Sequence, residues 1–418
     1  MSNSNEQASP ARQPGFAQGI MLLLPITMAV MGISVLTPVV PLLLAQFRNV
    51  PNYQYLVQGG VLTMPAIWIL LFSPAAGWIA DRFGRRRILI VSMIVYAFVG
   101  TAPVILNSLY AIILSRVAVG ICESTVLTVS TTLICDYYRG HARERWLASQ
   151  TGVASLSAVG IIYLGGELGA AYGWRGPFYL YLYSLVLVAG VAALIWEPSR
   201  AMAAEDAENE APRAAGGQEV CFDEFPWARM LGICAITLLG SISFYTVITK
   251  NAEALVALGV TDPAQIGKLT MFASIGVPLG ALLYWRASRL PISWLLCLDF
   301  ALIGLGFGWM GYAREPWVYT CGSFVNQIGC GLVLPTLLVW ATHGLAFKIR
   351  GRGTGMWQAT FAIGQFLSGM IITFFAMRLN GLLPTLVVMG ALVLAAAAVA
   401  ALVGFLKGTV RATPLKML

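Results

Sequence analysis

The chain has 418 residues, of which 58% are apolar and 11% charged, with a formal net charge of +8. Soluble domains carry about 25% charged and about 45–50% apolar residues, so a soluble fold is excluded. Extended disorder, which needs the opposite composition, is excluded with it.

The first 15 residues are polar and hold no apolar run, so no cleaved signal peptide is expected, and residues 1–16 read as a tail. A bilayer-crossing helix needs roughly 20 mostly apolar residues. Such runs occur at about 17–46, 54–80, 88–106, 109–136, 147–171, 176–196, 228–257, 264–285, 292–312, 316–345, 355–377 and 382–406. They are continuously apolar, which predicts helices and not the alternating strands of an outer-membrane barrel. The expected fold is all-α: twelve transmembrane helices in two six-helix halves, 17–196 and 228–407, with an acidic, Ala/Gly-rich linker at 197–227 and a second tail at 408–418.

The loop after the second run reads Gly77-Trp-Ile-Ala-Asp-Arg-Phe-Gly-Arg-Arg-Arg87. Gly77 would let one helix approach another closely. Asp81 can pair with arginines or meet a helix N-terminus, and Gly84 permits a sharp reversal. A plain basic anchor explains the arginines, but not the Gly-x-x-x-Asp-Arg-x-Gly spacing. The fourth run holds Arg116, Gly120 and Glu123. Arg116 and Glu123 are seven residues apart and share a helix face, with an axial separation of roughly 10 Å. Charges at this depth face a cavity or a partner. Glu123 therefore reads as a proton or substrate site looking into a central chamber, or else as a structural ion-pair member.

In the second half, Lys250 and Glu253 are spaced to pair on one helix. Lys268, Glu167 and Lys250 favour interfacial or structural roles, whereas Asp299 is a lone acid inside its run and needs a cavity or a partner. Neutral candidates for a cavity lining are Phe244, Tyr245, Asn326, Gln327, Trp340, Trp357, Gln358 and Gln365; ordinary packing is the alternative for each. The two halves echo one another. Gly280-Ala-Leu-Leu-Tyr-Trp-Arg-Ala-Ser-Arg289 stands where Gly77–Arg87 stands in the first half, with Tyr284 at the acidic position, and Lys348–Thr354 matches Arg139–Arg145. An internal repeat of this size points to a pseudo-symmetric transporter with its site between the halves.

Of the 26 Lys and Arg, 19 fall on the side of the N-terminus, 4 on the other, and 3 inside runs. Both termini are therefore expected in the cytoplasm, with the basic loops near anionic lipid of the inner leaflet. The +8 charge is a topology signal, and no nucleic-acid partner is expected. Six of the seven cysteines lie in apolar stretches without a CxxC pair, so they read as small hydrophobes, and no metal is expected. No phosphate-binding loop, dinucleotide loop or hydrolase motif occurs, so neither a cofactor nor an enzymatic activity is expected.

The Gly77–Arg87 spacing resembles the loop signature of the major facilitator superfamily, and the twelve runs, the linker and the degenerate second loop extend the resemblance over the whole chain. It implies a latch in which Asp81 and Arg82, supported by Gly77, Gly84 and Arg85, dock the halves on the cytoplasmic side. Arg116-x-x-x-Gly120 is similar to the family's span-four pattern, which implies a link between Arg116 and proton coupling. A finer resemblance is to the bacterial drug and siderophore efflux branch, of the bacillibactin exporter-like kind. It rests on Arg116–Glu123, Thr132–Tyr138, Arg143–Gln150, Gly173–Phe178, Phe244-Tyr245, Leu334-Pro335, Trp340, Arg350–Gly353 and Gly364–Ser368. The Gly-Pro pair common in span five of proton-driven exporters is missing from Gly160–Glu167. The expected function is proton-coupled efflux of a small organic compound from a bacterial inner membrane by a monomer. Proton-coupled uptake of an aromatic acid, sugar or vitamin is the alternative. A receptor or membrane enzyme would not need paired halves.

Overall fold

The structure, a computed structural model, describes residues 14–197, 225–345 and 347–407. Most of the expected tails and linker therefore lie outside the described residues. Among these there is no β-strand. The helices are α1 (Phe16–Gln46), α2 (Tyr53–Phe83), α3 (Arg85–Val104), α4 (Leu109–Tyr137), α5 (Gly140–Tyr172), α6 (a 3₁₀ stretch Gly173–Leu182 continuing as Tyr183–Leu194), α7 (Trp227–Ala257), α8 (Pro263–Ala287), α9 (Ile292–Tyr312), α10 (Pro316–Thr342), α11 (Phe347–Arg378) and α12 (Leu382–Lys407).

Eleven helical stretches among the described residues are long and apolar enough to cross a membrane, and one of them, Gly140–Leu194, is 55 residues long. At about 1.5 Å per residue it would be more than twice the thickness of a bilayer core. It crosses twice, because Gly173 at φ +66° reverses the chain between α5 and α6. Gly84 at φ +98° does the same between α2 and α3, as its place in the loop predicts. Asp262 accepts from the Ala264 and Gln265 amides, and with Pro263 at the first helical position it starts α8 sharply. α1 is broken near Pro25 and Pro38, each of which removes a backbone donor from the helix ladder.

Packing repeats between the halves. In the first bundle α2 lies on α4, α3 lies on α4 and α6, and α1 lies on α5; in the second, α8 lies on α10, α9 on α10 and α12, and α7 on α11. The bundles meet where α5 packs on α8 and α2 on α11, which is again a pair related by six helices. Each bundle has its own apolar core, and Tyr245 and Ile248 of α7 pack against both.

Candidate functional site

The polar groups inside the first bundle gather between α1, α3, α4 and α6. Arg116 is fully buried; its Nη1 donates to the Tyr181 hydroxyl at 2.7 Å and its Nη2 to the Gly100 carbonyl at 3.1 Å. Its guanidinium also lies 5.1 Å from the Phe178 ring centre and 4.9 Å from that of Tyr181. Glu123 is 1% exposed. Its Oε1 is 3.5 Å from the Tyr96 hydroxyl, which donates to the Met28 carbonyl at 2.7 Å. Tyr96 and Tyr181 stand 5.1 Å apart, centre to centre, and so connect the two ends of the group. The carboxyl also rests on α1: a Cβ on Gly32 would collide with it.

This corrects one expectation. Glu123 does not look into a chamber between the bundles in this conformation; it is closed inside the first bundle. The face it shares with Arg116 is turned to α1, α3 and α6. Helical spacing sets the face of α4 and leaves its neighbour open. Among the described residues the pair makes no direct ion pair, as their axial separation predicts.

Asp299 is likewise fully buried, and both carboxyl oxygens lack a hydrogen-bond partner among the described residues. It sits inside the second bundle near Tyr284 of α8 and Cys330 of α10. The Thr336 hydroxyl lies nearby but donates to the Leu332 carbonyl at 2.9 Å.

The loop residues form a network of the first bundle. Arg85 donates to Asp81 Oδ1 through Nε at 3.0 Å and Nη2 at 2.8 Å, and its Nη1 pairs with Asp136 at the end of α4. Glu197, past the end of α6, accepts from the Arg85 and Arg86 amides at 2.6 and 2.9 Å, which caps the N-terminus of α3. Arg82 lies over Trp78 and Phe83. Gly77 does not make the close approach expected of it, because a Cβ there would sit 3.8 Å from Thr128, an ordinary contact. The tight crossing of α2 on α4 is at Gly120, where a Cβ would be 2.7 Å from the Pro65 carbonyl. Asp136 and Glu197 were not singled out from the sequence; an acid closing each of two helices beside a basic loop was the available signal.

The cavity candidates divide. Phe244, Tyr245 and Trp357 come together with Phe361: the ring centres are 4.9 Å apart for Phe244 and Tyr245, 5.7 Å for Tyr245 and Phe361, and 5.7 Å for the stacked Trp357 and Phe361. The Trp357 Nε1 is buried without a hydrogen-bond partner among the described residues. Phe361 was missed, although Trp357-x-x-x-Phe361 is a one-turn spacing. Asn326 is not a lining residue: it is buried and donates to the Ile303 carbonyl at 2.9 Å within the second bundle. Gln327 is closed in against Gly276 of α8. Trp340 accepts at its carbonyl from Arg229, at the end of the bundle that carries the termini. Gln358 is exposed and Gln365 half-buried.

Hydrogen bonds and an ion pair join the bundles in the half of the molecule away from the termini. Gln58 Nε2 donates to Glu253 Oε1 at 2.5 Å, the Thr63 hydroxyl to the Phe366 carbonyl at 3.1 Å, and Lys268 pairs with Glu167 at 3.2 Å. At the same end Gly166 of α5 meets Gly267 of α8 so closely that a Cβ would lie 2.8 Å from the opposite Cα. The interior of the pair of bundles is thus closed at one end.

Comparison with known proteins places this architecture. The family model described as Major Facilitator Superfamily matches residues 22–369. The chain is 23% identical over 360 residues to the tetracycline resistance protein, class B, of Escherichia coli, covering 82% of this chain and 85% of that one. It is 27% identical over 176 residues to multidrug resistance protein 2 of Bacillus subtilis (strain 168), 42% of each chain. Among solved structures, a bacterial homologue of the human lysosomal transporter Spinster, in an inward-facing and unoccupied conformation, superposes with a TM-score of 0.69 at 16% identity, covering 96% of this chain and all of that one. The D-xylose-proton symporter superposes at 0.67 with 15% identity, covering 92% of this chain and 97% of that one. The chain is a multi-pass membrane protein that belongs to the Major Facilitator Superfamily, a family of carriers and not of enzymes.

Proposed function

We propose that this protein exports a small amphipathic organic compound, drug-like or siderophore-like, from a bacterial cell in exchange for protons. The observation that carries this reading is the similarity to a tetracycline resistance protein over most of both chains; resistance to a compound is what outward transport supplies. The Lys/Arg asymmetry supports cytoplasmic termini in the plasma membrane. In that orientation the closed end faces outward.

The proposed proton carrier is Glu123. A neutral carboxyl suits its apolar surroundings, whereas an ionised one requires water or a partner. Glu123 touches α1 at Gly32, and Tyr96 holds α1 at Met28. The turn Thr37–Val39 of α1 in turn meets α7 and α8. Gain or loss of the proton therefore changes the fit of a helix that touches both bundles, which links protonation to rocking of the halves. Asp299 is a second proton candidate. The latch reading of Asp81 and Arg82 remains part of the proposal, with the halves docking through this loop when the inner end closes. The aromatic group at Phe244, Tyr245, Trp357 and Phe361 offers ring faces and the Trp357 indole N–H, unpartnered among the described residues, to an amphipathic solute.

The test uses inverted membrane vesicles with an imposed proton gradient. Tetracycline or a cationic dye should accumulate in the lumen with release of protons, and Glu123→Gln should abolish this while the protein still folds. Accumulation by whole cells instead would support proton-coupled uptake, the alternative left open by the missing Gly-Pro pair at Gly160–Glu167. Unimpaired gradient-driven transport by Glu123→Gln would remove that residue from the mechanism.

A further inference from the structure

Lys250 of α7 is 3% exposed, deep in a helix where an ammonium needs partners. It donates to Glu253 Oε1 at 2.9 Å and to the Thr373 hydroxyl of α11 at 2.7 Å. The Thr373 hydroxyl donates its own hydrogen bond to the Gly369 carbonyl at 2.7 Å, so its oxygen can accept from Lys250. These partners all belong to the second bundle. Gln58 comes from the first bundle and is fully buried. Its Nε2 reaches the same Glu253 oxygen that Lys250 holds. Its side chain lies over Gly369, where a Cβ would be 2.7 Å from Gln58 Oε1, and that oxygen has no hydrogen-bond partner among the described residues.

The local fold is built to deliver this amide. Gln58 lies in a π-helical segment, Leu56–Leu62, whose wider turns alter the direction of side chains relative to an α-helix. Thr63 ends that segment: its amide and hydroxyl both contact the Gln58 carbonyl, at 3.2 and 3.1 Å, and the hydroxyl also reaches Phe366 on α11. Gln58 is thus a wedge set between α7 and α11 of the opposite bundle.

We infer that Gln58, Glu253, Lys250 and Thr373 form the outer gate of the carrier, with Gln58 as its releasable bolt. The bundles cannot part at this end without breaking the Gln58–Glu253 bond. The Lys250–Glu253 pair, being internal to one helix, survives the opening and does not have to be rebuilt in each cycle. Beside the Thr63–Phe366 hydrogen bond and the exposed Lys268–Glu167 pair, the buried part of this end is thus held by one charge-assisted hydrogen bond, which is strong enough to hold and, unlike an ion pair in the same buried place, leaves no isolated charge when it breaks. Gln58 and Glu253 are positioning residues that set the balance between the two end states. The inference rests on the alternating-access part of the proposed function, but not on export or on proton coupling.

The experiment is hydrogen–deuterium exchange of the purified full chain in lipid nanodiscs, comparing wild type with Gln58→Leu, Glu253→Gln and the double variant. Gln58→Leu should raise exchange about tenfold in peptides covering 53–63 and 366–378, and lower it in peptides covering 80–90 and 139–146 at the opposite end. Glu253→Gln should shift exchange in the same direction, and the double variant should go no further than Gln58→Leu alone. A merely structural role would raise exchange at both ends. That result, or no change at either end, overturns the gate. If Gln58→Leu does not fold, the reciprocal shift in Glu253→Gln decides in its place. Vesicles that fail to export while the reciprocal shift is present would remove the export reading and keep the gate.

Discussion

Arg116 donates to the Tyr181 hydroxyl at 2.7 Å and stacks on the same ring, with no carboxylate in ion-pair range among the described residues. A fully buried cation is held by a hydroxyl, a carbonyl and two aromatic faces. Tyr181→Phe keeps the ring and removes the hydrogen bond, so it should destabilise the protein by about 1.5–3 kcal/mol. Arg116→Lys should be worse, because an ammonium cannot reproduce the planar two-armed donation to Tyr181 and Gly100. Thermal unfolding in detergent, followed by intrinsic fluorescence, measures both; an unchanged midpoint for Tyr181→Phe would contradict this account.

Glu123 and Gly32 form a fitted pair across α4 and α1. Gly32→Ala would push a methyl group into the carboxyl, an overpacking that costs about 1–3 kcal/mol. The same substitution in a Glu123→Ala background should cost much less, because the space is vacated. Melting midpoints of the four proteins form the cycle, and additive effects would mean that the two residues do not touch.

Asp299 has no hydrogen-bond partner among the described residues. Asp299→Leu removes a buried polar group, and its effect on stability should be neutral or favourable by about 1 kcal/mol. If Asp299 carries a proton, coupled transport in vesicles should be lost in the same variant. Normal transport would confine its role to the fold.

Arg85 bridges two acids of unequal exposure: the Asp81 side chain is 62% exposed and that of Asp136 14%. Exposed ion pairs contribute about 0–1 kcal/mol and are screened by salt. Asp81→Asn should therefore change stability little, with an effect that fades at high salt, whereas Asp136→Asn should lower the unfolding midpoint at both salt concentrations. On the latch reading, Asp81→Asn slows conformational cycling and leaves substrate affinity intact. Rates of transport and equilibrium binding separate the two effects.

The spans, their pairing into halves, the reversal at Gly84 and the local Lys250–Glu253 pair were legible in the sequence. Each follows from a property local to the chain: a run length, a residue type at a turn, or a spacing along one helix. Asn326 and Gln327 resemble cavity residues by composition, yet their side chains are closed inside the second bundle. The aromatic group was legible only in part, because Phe361 looks like any other membrane aromatic until α7 and α11 are brought together.

The sequence by itself determined that twelve helices cross a bilayer and where their few polar side chains fall. The bilayer imposes a length on each apolar run, and a charge stands out against 58% apolar residues. Tertiary structure alone decided what those side chains meet. Helical periodicity assigns a residue to a face without saying which helix packs against it. Glu123 therefore turned out to be enclosed by α1 and α3, and Gln58 found Glu253 at a distance of 195 residues along the chain.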